Sequence, residues 1–300
     1  MFEDIPGYDK WVKIEKIERG WSFDTKYYVE SEDNQKLLLR ISDIKFYDKK
    51  KKEFEVISMY SKLGFKMSNP VDFGVFENET KVYMLLTWVE GEDLEIALPM
   101  LSNEEQYQIG REAGLILKKI HSLPIAVNDL PTQTKEEKKR IQILKYEQSE
   151  LRIEDDEIAL QYVKDNLHKI WKKLPVYQHG DFHPGNLILT KDKKLGVIDF
   201  NRWEIGDPYE EFYKLENFGT LISIPYSIGQ IDAYFDDEVP NDFWEILSVY
   251  VAHSALYSIE WARPFGKKDV DVMKEICLKS FKHYNHFKTH IPIWYKKGNV

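Results

Sequence analysis

One stretch, residues 178–208, constrains this chain more than any other. It reads Q-H-G-D-F-H-P-G-N-L-I-L-T, then K-D-K-K, then L-G-V-I-D-F-N-R-W-E-I-G-D-P. Residues 187–190 and 195–198 are short runs rich in aliphatic and β-branched side chains, and the polar segment 191–194 between them is a turn, so together they predict a β-hairpin. With Thr190 facing Leu195 across a four-residue loop, antiparallel pairing sets Asn186 opposite Asp199 at the open end. Asp181 comes five residues before Asn186, in a segment loosened by Gly180, Pro184 and Gly185. The hairpin is therefore expected to converge three oxygen-bearing side chains, Asp181, Asn186 and Asp199, on one spot.

Hard oxygen ligands suit magnesium, which is normally held by one or two protein groups together with substrate phosphates. A third acid beside that metal, able to accept a hydroxyl proton, completes a phosphoryl-transfer site. H-G-D-F-H-P-G-N followed by I-D-F resembles the catalytic and metal loops of the aminoglycoside phosphotransferases. Their relatives include macrolide, choline and homoserine kinases, and all share the protein-kinase fold. The resemblance implies that Asp181 is the catalytic aspartate, that Asn186 and Asp199 are the metal ligands, that Mg2+ is the cofactor, and that ATP or GTP is the phosphoryl donor. It is tight at 178–208, moderate at 36–91 and loose elsewhere.

A rival assignment uses the alternation of His179, Asp181 and His183, which on a strand would face one side as a zinc or iron set. Gly180, Pro184 and Gly185 argue against a regular strand there, and that set leaves Asn186 and Asp199 unexplained. Imidazoles that hold a tight loop through backbone hydrogen bonds are the structural alternative. The chain departs from protein kinases in having D-F-N where they have D-F-G. Only seven residues separate Asp199 from Asp207, which leaves no room for a protein-substrate platform, so the resemblance implies a small-molecule kinase. In the family an acid shortly after G-D-P supports the catalytic loop; Glu211 matches it, with a solvated helical glutamate as the alternative.

The chain has 300 residues, enough for one large or two moderate domains with a real core. Its single cysteine, Cys277, rules out an internal disulfide framework, fits a reducing compartment and is expected to be a buried structural thiol. No signal peptide is visible in M-F-E-D-I-P-G, and no run approaches the ~18 apolar residues of a membrane span, so the expected location is cytoplasmic. A net charge of −9 argues against a nucleic-acid partner and is compatible with a cationic substrate.

Residues 12–19, 26–31 and 36–41 read as strands. The turn R-G-W-S-F-D-T between the first two falls where kinases carry a phosphate-covering loop. Its backbone N–H groups around Gly20 and the Ser22 hydroxyl are candidate phosphate contacts. In K-L-L-L-R-I-S the resemblance assigns Arg40 to the inner phosphates, which a guanidinium grips with two parallel bonds. The helix E-F-E-V-I-S-M-Y-S-K-L-G follows a solvated lysine run and stops at Gly64. Val56, Ile57, Tyr60 and Leu63 repeat at helical spacing from Glu53, which places Glu53 on the buried stripe, where it needs a partner; Arg40 is the natural one. Strands at 70–76 and 82–87 lead to T-W-V-E-G-E-D, a linker whose Thr87 and Val89 backbone would meet the base of the nucleotide.

The remainder reads as helical apart from the hairpin. A capping box at Ser102–Glu105 opens a helix to about His121, and further helices are expected at 134–151, 155–174, 208–218, 225–236, 241–263 and 267–285. Acceptor selectivity is expected in the last of these, which carry acids, Asp232, Asp236, Asp237, Glu238 and Glu260, among aromatic residues; the alternatives are a solvated loop for 236–238, just before Pro240, and core packing for the aromatic residues. The expectation is an α+β, two-lobed, protein-kinase-like fold. Residues 1–90 form a small, mostly antiparallel nucleotide-binding lobe with one main helix, and 91–300 a larger, mainly helical lobe for catalysis and substrate. The implied enzyme moves a γ-phosphoryl group to a small-molecule hydroxyl, on an aminoglycoside or macrolide antibiotic. The alternatives are a metabolic small-alcohol or sugar kinase and a silent nucleotide-binding protein; no nucleic-acid or membrane partner is expected.

Overall fold

The computed structural model describes residues 2–18 and 24–296; Gly20 and Ser22 lie outside the described residues. The regular elements are β1 (Trp11–Ile17), β2 (Thr25–Ser31), β3 (Lys36–Asp43), α1 (Tyr47–Tyr60), β4 (Lys66–Met67), β5 (Pro70–Phe76), β6 (Lys81–Thr87) and β7 (Glu92–Asp93). Next come α2 (Leu94–Ala97), α3 (Asn103–His121), α4 (Glu136–Glu147), α5 (Glu157–Asn166), β8 (Val176–Gln178), β9 (Leu187–Leu189), β10 (Leu195–Val197) and β11 (Glu204–Gly206). The chain ends in α6 (Thr220–Ile222), α7 (Ile224–Tyr234), α8 (Asn241–Ala262) and α9 (Lys267–His283). Two compact units result: one comprises residues up to Leu94 together with Gly185–Trp203, the other Glu95–Pro184 and residues from Glu204 onward.

In the first unit, an antiparallel sheet runs in the order β1-β2-β3-β6-β5. Strand alternation splits β3 cleanly. Leu37 and Leu39 join Ile5, Val29, Phe76, Tyr83 and Leu85 in a core on one face, while Leu38, Arg40 and Ser42 point to the other. There α1 lays down Val56, Ile57 and Tyr60, all fully buried. The lysine run is not merely a solvated helix start: it lies inside α1, and its Lys50 is buried against Glu53 one turn on.

The same unit holds a second sheet, β4-β10-β9-β7, parallel only between β10 and β4. The hairpin is present, but its register differs by one residue from the expected one. Leu189 faces Leu195, and Asn186 accepts from the Ile198 N–H at 3.1 Å. The cause is turn chemistry. Thr190 already closes on Lys194, N–H to O at 2.9 Å, and Lys193 takes the left-handed conformation, φ 59°. This is the three-residue loop with a left-handed last residue rather than a four-residue loop. Asp199 therefore lies one position beyond the ladder, and pairing alone does not set it against Asn186.

In the second unit, α3 and α7 cross with their backbones in contact. A Cβ on Gly110 would lie 2.1 Å from the Tyr226 carbonyl oxygen, and one on Gly229 2.2 Å from that of Tyr107, so no larger residue fits. Helix α3 begins with the expected capping box, Ser102 with Glu105. Helix α8 is buried along most of its length, and α9 carries Cys277, whose burial pushes its thiol pKa up. The segment read as a helix at 208–218 is instead a 3-10 turn, Glu210–Phe212, followed by a π-helix, Leu215–Gly219. Among the described residues no helix is long and apolar enough to cross a membrane.

Candidate active site

In the second unit, β8 delivers the chain to a loop that Gly180 turns with φ 79°. This loop is held from behind by Glu211, which is only 4 % exposed. Its Oε1 accepts from the Gly180 N–H at 2.6 Å and its Oε2 from the His179 N–H at 3.2 Å. His121 Nε2 reaches the same carboxylate at 3.0 Å, while its Nδ1 meets the Tyr234 hydroxyl at 2.8 Å. The carboxylate can only accept, so Nε2 donates to Glu211. Glu211 is therefore a buried anchor and not a solvated helical residue. His179 is fully buried and its Nδ1 accepts from the Asp181 N–H at 3.2 Å. His179 thus serves the loop; among the described residues no group of three or more His, Cys, Asp or Glu is placed to hold a metal.

Asp207 anchors the far end. Its carboxylate accepts from the Trp171 N–H at 2.7 Å, the Tyr209 N–H at 3.0 Å and the Tyr250 hydroxyl at 2.8 Å. Burial raises its pKa, against the pull of those donors. Between the two anchors, Asp181 Oδ1 receives Lys214 Nζ at 2.6 Å and lies 3.6 Å from His183 Nε2. A carboxylate fixed in this way can orient a hydroxyl and take its proton.

In the first unit, Arg40 Nη1 donates to Glu53 Oε1 at 2.5 Å, both side chains being almost fully buried. The opposite edge of the guanidinium grips Asp24 Oδ2, through Nε at 3.0 Å and Nη2 at 2.5 Å. Lys50 Nζ bridges Asp24 at 2.6 Å and Glu53 at 3.0 Å, and Ser42 donates to Asp24 Oδ1 at 2.6 Å. Burial pushes the Asp24 carboxyl up, but Arg40 and Lys50 outweigh it and hold the pKa down at about 2. Burial works against the Arg40 charge, yet Glu53 and Asp24 raise its pKa further. Asp24 and Lys50 carry no motif. The signal that finds Asp24 is register: Thr25 pairs with Ile41, which brings Asp24 beside Ser42.

Lys26 sits directly across from Arg40 on β2 and so shares its face. Its Nζ is 3.1 Å from Asp199 Oδ2. Asp199 has left-handed backbone angles, φ 60° and ψ 61°, a sparsely populated conformation for a non-glycine residue that concentrates at ligand-binding sites. Its Oδ1 is buried and has no hydrogen-bond partner. A carboxylate oxygen left so is costly unless something binds it, and a carboxylate or amide oxygen is the donor type that suits magnesium; Asn186 lies in the same unit, its backbone carbonyl taken by the Ile198 N–H. At the end of β6, the Thr87 N–H donates to Asn69 O at 2.8 Å and the Trp88 N–H to Lys36 O at 2.9 Å. Val89 lies against Gly196, where a Cβ would come within 2.4 Å of its Cγ1. Arg40, Glu53, Thr87, Val89, Asn186 and Asp199 thus all belong to one unit, and Asp181 to the other.

Solved structures share this architecture. Aminoglycoside 2'-phosphotransferase-IIIa in its GDP complex is 14% identical, with 93% of this chain and 94% of that chain covered at a TM-score of 0.69. Spectinomycin phosphotransferase APH(9)-Ia with ADP and spectinomycin is 14% identical, with 89% and 92% covered at 0.68. The gentamicin complex of APH(2")-IIa is 16% identical, with 93% and 94% covered at 0.64. At these identities the likeness establishes the kinase-like α+β fold. No curated protein matches the chain. The sequence model of the phosphotransferase enzyme family (APH) matches residues 13–243, a span that includes strands β2, β3, β5 and β6, most of β1, the hairpin and the Glu211 anchor. The chain belongs to this family of phosphotransferases acting on small-molecule hydroxyls.

Proposed function

We propose that the protein transfers the γ-phosphoryl group of ATP or GTP to a hydroxyl of an antibiotic, an aminoglycoside or a macrolide. The observation that carries the donor half is Asp199: strained backbone, one oxygen on Lys26 and the other buried without a partner. Asn186 and Asp199 would hold Mg2+, which when bound neutralises charge on the phosphate oxygens. Arg40, oriented by Glu53, binds the inner phosphates, and Asp24 holds its guanidinium fork. Ser22 adds a hydroxyl to the phosphates. The backbone of Thr87 and Val89 meets the base. Residues 1–90 with the hairpin serve the nucleotide; residues 91–300 otherwise serve catalysis and the acceptor.

Asp181 orients the acceptor hydroxyl and takes its proton, an assistance worth roughly 10²–10⁴ in rate. The neighbouring structures hold GDP or ADP, gentamicin and spectinomycin, which supports a nucleotide donor and an antibiotic acceptor. One observation favours a second reading, a metabolic small-alcohol or sugar kinase. Acids that could greet a cationic acceptor are engaged internally: Asp236 with Lys118, Asp237 with Arg111, Asp232 with Tyr107 and Tyr295, and Glu260 with Arg263.

The test is nucleotide consumption by the purified protein with magnesium and ATP or GTP. Gentamicin, spectinomycin, a macrolide and a panel of small alcohols and sugars serve as acceptors, with Asp181→Asn as control. Turnover that depends on one acceptor class and is lost in the variant supports the proposal and selects the branch. Turnover retained in Asp181→Asn removes that residue from its role, and absence of nucleotide binding overturns the whole assignment.

A further inference from the structure

Lys214 belongs to no motif, yet it makes a close ion pair to the proposed base. Its Nζ lies 2.6 Å from Asp181 Oδ1, on a side chain only 7 % exposed. The ammonium also lies over the rings of Tyr213, at 5.1 Å, and Phe218, at 5.4 Å. Phe218 in turn packs at a tilt of 34° against His183, 4.8 Å between centroids. Burying a lysine charge is expensive unless it is paired, so this placement has to be enforced from elsewhere.

Both ends of the ion pair rest on buried anchors. On the Asp181 side, Glu211 ties down the two preceding backbone N–H groups. On the Lys214 side, the chain leaves the 3-10 turn and enters the π-helix. Such π-turns recur at functional sites, where they re-aim side chains. This one is pinned by Glu216, 1 % exposed, which accepts from His283 Nδ1 at 2.7 Å, Trp294 Nε1 at 2.7 Å and the Ser280 hydroxyl at 3.3 Å. The end of α9 and the segment after it therefore brace the turn that aims Lys214.

We infer that Lys214 is a positioning residue for phosphoryl transfer: its ammonium fixes the orientation of the Asp181 carboxylate toward the acceptor hydroxyl. This rests on the proposal that Asp181 is the proton acceptor. A lysine that only stabilises the fold would change melting temperature, with no special dependence of turnover on Asp181. A positioning lysine acts through that carboxylate and through nothing else.

The experiment is a double-mutant cycle on steady-state consumption of MgATP and MgGTP by the full chain. It is run with gentamicin, spectinomycin or a macrolide as acceptor, and with water alone. Lys214→Met should lower kcat at least about tenfold, since small misplacements of a reacting group carry losses of this size, and leave the nucleotide KM within about twofold. Lys214→Arg, which keeps the charge, should recover most of kcat. Lys214→Met in the Asp181→Asn background should cost nothing further, because residues acting as a unit are not additive. Wild-type kcat in Lys214→Met, or a full additive loss in the double variant, overturns the inference while leaving Asp181 in place. Wild-type turnover in Asp181→Asn is instead a failure of the underlying base assignment, and no turnover by the wild type, with small alcohols and sugars added to the acceptors, is a failure of the proposed function; either removes the inference. If Lys214→Met does not fold, Lys214→Arg decides: normal melting with restored kcat supports positioning, and normal melting with kcat still lost overturns it.

Discussion

Replacing Glu211 with glutamine tests the loop anchor with almost no change in shape. Every partner of this carboxylate is a donor: the Gly180 N–H at 2.6 Å, the His179 N–H at 3.2 Å and His121 Nε2 at 3.0 Å. Glutamine offers one acceptor oxygen and one NH2 group, so in either orientation its NH2 faces a backbone N–H. His121 could shift its proton, but a peptide N–H cannot. At least one charge-assisted bond, worth about 1.5–3 kcal/mol, is lost and a buried donor is orphaned, for a combined cost of about 2–4 kcal/mol. At roughly 2–4 °C per kcal/mol for a domain of this size, the melting midpoint of Glu211→Gln should fall by about 4–16 °C. The measurement is thermal unfolding followed by circular dichroism, paired with calorimetric titration of MgATP and MgGTP. Nucleotide affinity should stay within about twofold while turnover drops, because the damaged backbone leads directly into Asp181. A midpoint within about 1 °C of wild type would refute the anchor and return Glu211 to the status of an ordinary helical glutamate.

Arg40→Lys removes the fork that holds Asp24 through Nε and Nη2. It should weaken MgATP or MgGTP binding by about tenfold, the loss expected when bidentate geometry becomes a point charge; equal affinity by calorimetry would contradict the assignment. Asp199→Ala should raise the magnesium concentration needed for nucleotide binding several-fold, and an unchanged magnesium dependence would remove Asp199 from the donor set. His253 is buried with its Nε2 unpartnered, and burial, then the Lys139 charge, lowers its pKa well below the usual 6.5. It stays neutral when folded, whereas the unfolded chain takes up a proton below pH ~6.5. Folding stability should therefore fall as pH drops through that value, approaching about 1.4 kcal/mol per pH unit. Urea unfolding between pH 5 and 7.5 should show a shallower slope for His253→Gln, and an identical slope would refute the account.

Local pattern made part of this molecule legible and left the rest hidden. Arg40 and Glu53 could be paired because strand alternation and helix periodicity each fix a face, and two such faces on consecutive elements must meet. The hairpin could be placed but not registered, because whether Lys193 adopts a left-handed backbone is decided by one turn hydrogen bond that composition does not encode; a slip of one residue moves every facing partner. The π-helix was hidden because E-E-F-Y-K-L-E-N-F is compatible with regular helical spacing. What distinguishes it is that Glu210, Glu211, Lys214, Glu216 and Asn217 are all buried, and each polar side chain must be steered to its own partner. Glu211 itself could be matched by resemblance, but only its bonds to His179 and Gly180 separate an anchor from a solvated acid.

The hidden residues share a physical origin. A phosphoryl-transfer motif marks groups that meet ligand, chiefly carboxylates. Such carboxylates, partly or wholly withdrawn from water, need compensating charge, and the compensating cations come from wherever the tertiary fold can reach. Asp199 is met by Lys26, which arrives because β2 pairs with β3. Asp181 is met by Lys214, which arrives because a π-helix is braced by Glu216. Asp24 and Glu53 share Arg40 and Lys50, one from a strand and one from α1. Each acid thus has a cation at hydrogen-bonding distance, and ligand must either exchange with that cation or be added beside it. Exchange predicts that removing the lysine strengthens binding of metal at the acid; addition predicts that it weakens binding of the anionic nucleotide. For Lys26→Met, titration of Mg2+ and of MgATP separately distinguishes the two. The unpartnered Oδ1 of Asp199 leaves an oxygen for metal without displacing Lys26, so addition is the expected outcome: weaker nucleotide binding with little change in the magnesium requirement.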